Sequence, residues 1–125
     1  MANSNVQVAA SQLQRAATDI KNNIWAIQRD FHDQQVQLKK EIDDLTKRIH
    51  ECEAEMSRGS SEPARQLQLS KEIIDNRKLI SVKQQQLADS ERQANQLVHD
   101  KEAAAAELAS KAGELAQKAG DPKFS

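Results

Sequence analysis

Four side chains in this sequence are of the types that hold metals or attack substrates: His32, His50, His99 and Cys52. A metal pair on a helix needs ligands three or four residues apart, so that both project from one face. The histidines lie far apart along the chain, and none has another histidine, or the cysteine, at that spacing. His50 and Cys52 are two positions apart, which on a helix aims them in different directions and argues against a Cys–His nucleophile. Acidic residues number 19, but they alternate with lysine and arginine on solvated faces, where nothing desolvates two carboxylates for acid–base work. A P-loop, a dinucleotide-binding glycine pattern and a nucleophile elbow are all absent. The expectation is a protein with no catalytic residue, no metal site and no cofactor, and therefore not an enzyme.

The elements that would have to position any chemistry are set by an unusual composition. In 125 residues, aromatics make up 2% and the mean hydropathy is -0.80. The 38% of apolar residues is dominated by alanine, and the larger apolar side chains are spread thinly from end to end. That supply suits a narrow seam between helices better than a thick core. Lysine and arginine total 18 against the 19 acidic residues, with 8 basic and 9 acidic before Ser61 and 10 of each from Ser61 on. No basic stripe is present to collect phosphates, so no nucleic-acid partner is expected. Charges of both signs interleave, as in Lys39, Lys40 and Glu41 or Asp43, Asp44, Lys47 and Arg48, a pattern suited to solvated helix faces.

Cys52 is the only cysteine. It cannot form an intrachain disulfide, and its place in the apolar series described below predicts a buried thiol. The opening residues MANSNVQVAASQLQRAA have neither a basic n-region nor a continuous apolar stretch. No apolar run approaches the roughly 20 residues that cross a bilayer. A cytoplasmic, reducing setting is expected, with membrane association disfavoured.

Glycine and proline divide the chain. Gly59 is placed to stop a helix in the left-handed conformation, Ser60 and Ser61 to cap the next one, and Pro63 to sit in its first turn. Ser4 and Gln7 have capping-box spacing, and Gly120, Asp121 and Pro122 form a second stop. The boundaries that follow are a disordered 1–4, helix 5–57, turn 58–62, helix 63–119 with an alanine-rich end frayed around Gly113, and a disordered tail 120–125, all in a single domain. Each arm would be about 80 Å long at roughly 1.5 Å per residue.

The arms carry a heptad seam. In the first, Ala17, Ile24, Phe31, Leu38, Leu45 and Cys52 recur every seven residues, with Leu13, Ile20 and Ile27 alternating among them. Beyond Gln34 and Gln35 the companions become Ile42 and Ile49, one place later in the repeat, so Ile27 to Leu38 and Phe31 to Ile42 are steps of eleven. Such a stutter locally unwinds a left-handed supercoil. In the second arm Leu69, Ile73, Ile80, Leu87, Ala94, Leu97, Leu108, Ala112 and Leu115 make the main stripe, interrupted by Asn76, Lys83, Ser90 and Lys101. Folding the chain about residues 60–61 pairs positions that add to about 122: Ile49 with Ile73, Ile42 with Ile80, Ile27 with Ala94, Leu13 with Leu108, and Phe31 with Ser90 or Glu91. Large residues then face small ones midway, as close packing requires.

Trp25, Val36, Ile74, Leu79, Val82 and Val98 fall off this stripe. A widened apolar surface of this kind is what three- and four-helix packing needs, and tryptophan is enriched at interface hot spots. The fold expected is therefore all-α: a long antiparallel two-helix coiled-coil hairpin, pairing into a four-helix bundle as a homodimer or a higher homo-oligomer. The function expected is that of a non-enzymatic structural or adaptor protein acting through self-association and a helical partner protein. Two alternatives have sequence support. A membrane-associated remodelling or stress protein would bind through the N-terminal segment or the alanine-rich end, whose lysines and alanines lack a bulky apolar face. A holdase-like chaperone would share only the long-hairpin architecture.

Overall fold

The computed structural model describes residues 2–59 and 62–119. Its elements are α1, Ala2–Ser57, and α2, Pro63–Ala119, packed against each other as an all-α helical hairpin.

Helix α1 starts at Ala2, so the expected disordered segment 1–4 is helical in its described residues and Ser4 lies inside the helix. The spacing of Ser4 and Gln7 marks a start only where the preceding residues leave the helix. Ala2 and Asn3 include no proline or glycine to force that. At the other end α1 stops at Ser57. Gly59 adopts φ +67°, the left-handed conformation that costs a Cβ-free residue nothing, and its amide donates to the Met56 carbonyl at 3.3 Å. Pro63 opens α2, in the position where its missing N–H is no loss. The Gln66 amide donates to the Glu62 carbonyl at 2.9 Å, closing the first turn. The capping serines Ser60 and Ser61 and the tail 120–125 lie outside the described residues. Helix α2 runs unbroken through Gly113 to Ala119.

The hairpin resolves into two compact units, one holding the residues up to Asp30 and from Gln93 on, the other Phe31–Arg92. We call them the terminal unit and the turn unit. In the turn unit Ile49, Cys52, Leu69 and Ile73 form the buried core, with Met56 and Ile80 packed against it. Leu69 and Cys52 are 0% exposed. Leu38, Ile42, Leu45, Ile80 and Leu87 continue the seam half-buried, as does Phe31. Antiparallel order is visible in the cross-helix ion pairs: as α1 descends from Arg48 to Glu41, its partners on α2 ascend from Glu72 to Lys83.

The seam of the terminal unit is made of smaller residues. Ala10, Ala17 and Ile24 are buried at seven-residue intervals on α1, and Ala105 and Ala112 at the same interval on α2. Leu13, Ile20, Ile27, Ala94, Leu108 and Leu115 are half-buried between them.

One seam position differs from expectation. Leu97 is 41% exposed and its neighbour Val98 is half-buried, so the two exchange roles. The cause is a second phase slip, in α2: burial steps from Ser90 to Ala94 to Val98 by two successive fours before three returns at Lys101. Leucine's greater apolarity points to 97, but the helix has already turned past it. The slip in α1 is filled by Gln35, which is half-buried, while Gln34 is exposed. The polar residues that seemed to interrupt α2 lie on the seam itself: Asn76, Lys83 and Lys101 are half-buried and Ser90 is buried.

Candidate interaction surface

The side chains with chemical potential stay apart. His32, His50 and His99 are exposed, and among the described residues no three His, Cys, Asp or Glu side chains come together as a metal-holding group. Burial pushes the Cys52 thiol up from its ordinary pKa, and the neighbouring Glu72 carboxylate pushes it the same way. The thiolate is the reactive form, so both effects disfavour reaction at this cysteine.

The turn unit has two unlike flanks beside its seam. On one, residues seven apart form matching rows: Glu41, Arg48 and Glu55 on α1, Arg65 and Glu72 on α2. Arg48 binds Glu72 through both arms of its guanidinium, Nε to Oε1 at 2.6 Å and Nη2 to Oε2 at 3.0 Å. Arg65 grips Glu55 in the same forked way at 3.3 and 3.0 Å, and Lys83 reaches Glu41 at 2.9 Å. Forked pairs fix direction as well as distance. The Arg48 guanidinium holds Glu72 below the usual carboxylate range, and the bond from Lys83 does the same to Glu41. Arg48 is raised in turn, chiefly by its bond to Glu72. The opposite flank carries a single cross-helix pair among the described residues, Arg77 to Glu53 at 3.1 Å.

Exposed apolar residues lie outside the seam on both helices. Leu79 takes the next place in the row of Arg65 and Glu72, with Val82 one turn further on. Leu67 and Ile74, seven apart, lie on the face of α2 turned away from the seam. Leu67 is 74% exposed, the most open of the large apolar residues, and the sequence reading missed it, although its seven-residue step to Ile74 was the signal that could have found it. Val36 is likewise exposed on α1.

In the terminal unit Trp25 is 66% exposed, and Val8 and Leu97 are also open. Trp25 stands alone, because its helical neighbours Lys21, Asn22, Gln28 and Arg29 are all exposed polar residues. The Arg29 guanidinium lies over the indole, 5.6 Å from its centroid, within cation–π range. Of the six residues expected at an interface, five are exposed and Val98 belongs to the seam. The five do not merge into one stripe within either unit. No helix among the described residues is long and apolar enough to cross a membrane.

No family model, no curated protein and no solved structure matches this chain.

Proposed function

We propose that this chain is a non-enzymatic coiled-coil structural or adaptor protein that acts through helix–helix self-association and helical partner binding, in a cytoplasmic setting. The observation that carries it is the apolar side chains left open outside a seam that is already filled: Leu67, Ile74, Leu79 and Val82 on α2 of the turn unit. A two-helix seam uses one stripe per helix, and apolar positions beyond it are what neighbouring helices cover in a bundle. Trp25 adds a side chain of the type that anchors interfaces, and a homodimer forming a four-helix bundle is the simplest assembly that covers such positions.

Sedimentation equilibrium across micromolar concentrations, read with thermal melting of the same samples, tests this. The expected result is concentration-dependent mass and melting temperature, both lowered by Trp25→Ala. A stable monomer throughout, with melting unchanged in that variant, would overturn the proposal.

A further inference from the structure

We propose that the terminal unit opens as a cooperative unit of its own while the turn unit stays closed, so that the hairpin has a built-in partly open state. Three observations within the units lead there.

The first is the content of the buried layers. Four of the five buried apolar residues of the terminal unit are Ala10, Ala17, Ala105 and Ala112; the turn unit buries Ile49, Leu69, Ile73 and Cys52. Apolar burial stabilises in proportion to the hydrocarbon removed from water, and alanine brings a single methyl. Each alanine layer therefore holds its two helices together less firmly than a layer of isoleucine and leucine.

The second is electrostatic. All four cross-helix ion pairs among the described residues, Arg48–Glu72, Arg65–Glu55, Arg77–Glu53 and Lys83–Glu41, lie in the turn unit. The terminal unit's ion pair, Lys111–Glu107, joins residues of one helix and does nothing to hold α1 against α2.

The third is connectivity: the short turn between Ser57 and Pro63 joins the turn unit's two helices directly, which holds them at high effective concentration at little closure entropy.

Opening strips α1 of its partner from the N-terminal end to Asp30 and α2 from Gln93 on. Most helix stability in a folded protein comes from tertiary packing, so amides in the parted segments exchange faster than in the closed hairpin.

Native-state hydrogen exchange on the full chain, read residue by residue, tests this. Amides at the centre of the terminal unit, Leu13–Ile20 and Leu108–Ala112, are expected to share one protection level at least about tenfold below that of Leu45–Ile49 and Ile73–Arg77, the kind of spread that separate opening units show. A second measurement separates opening from fraying of the chain ends. Gly113→Ala, where an added Cβ meets nothing within 4 Å, is expected to raise protection across the terminal unit several-fold, including Leu13–Ile20 on the other helix, and to leave the turn unit unchanged. Equal protection in both units, a smooth decline toward the termini instead of a shared level, or a Gly113→Ala effect that is absent from α1 or spread over both units would each overturn the proposal.

Discussion

Arg48 and Glu72 meet across the helix pair through two parallel bonds, at 2.6 and 3.0 Å, one turn from the buried side chain of Cys52. The pair lies where the seam meets solvent, so it borders the core on one side and water on the other. Its carboxylate is held below the ordinary carboxylate pKa by the guanidinium, and Glu41 is held down by Lys83.

A pH dependence follows with a definite sign. Both groups have folded-state pKa values below their ordinary value of 4.5. Their contribution to stability is therefore complete above that value and is lost as pH falls through the depressed folded values, because the unfolded chain binds protons first. Melting temperature followed by circular dichroism is expected to hold level from neutrality to about pH 5 and then to fall, the fall being smaller in Glu72→Gln, which has no carboxylate to protonate. Added salt at neutral pH lowers the wild-type melting temperature toward that of the variant, since exposed pairs are screened over about 10 Å at 0.1 M. A variant that loses stability with acid as steeply as the wild type would show that this pair is not what titrates.

Two leucines two places apart mark opposite faces of α2. Leu69 is 0% exposed and Leu67 is 74% exposed. Leu69→Ala removes three buried carbons from the tightest layer and is expected to cost about 3 kcal/mol, in the range of buried leucine truncations. Leu67→Ala is expected to change the stability of the dilute protein by less than about 0.5 kcal/mol, as exposed substitutions do. Urea denaturation at low and high protein concentration checks both. If the Leu67→Ala cost grew with concentration, Leu67 would be contributing to assembly; if Leu69→Ala cost no more than Leu67→Ala, the seam would be misplaced.

The hairpin was legible because its signals are strong and local. A glycine stop and a proline start, seven residues of punctuation between two arms of periodic apolar residues, leave little alternative, and Gly59 takes the backbone conformation its type suggests. The position of Leu97 was not legible, since choosing between 97 and 98 requires knowing that α2 slips phase at Ala94, and alanine is too small to mark which face it occupies. The start of α1 was missed for the opposite reason: a motif was present, but nothing before Ser4 stops a helix. The cross-helix ion pairs were hidden because the alternating charges suit pairing along one helix equally well. Only the helix-to-helix register shows that Arg48 reaches Glu72 on α2. As for the candidate surface, apolar residues off the seam could be named from spacing, but whether they join into a patch depends on angles around the helix. Those angles leave Trp25 among polar neighbours.

Ser90 gives the last test, because it is the one described residue whose polar side-chain atom is both buried and unpaired. It is 9% exposed on α2, at the level where Phe31 was expected to face either it or Glu91, and Glu91 is the one left in solvent. A serine hydroxyl inside a helix can bond to the carbonyl four residues back, which would satisfy it, but it makes no such bond here. Its desolvation is uncompensated, a cost that alanine avoids while also improving helix propensity. Ser90→Ala is therefore expected to raise stability by about 1 kcal/mol in urea denaturation, an effect of the same sign as any other relief of a buried polar group without a partner. A loss of stability in that variant would mean that the hydroxyl is bonded in solution, and that the seam beside the phase slip is better satisfied than its geometry indicates.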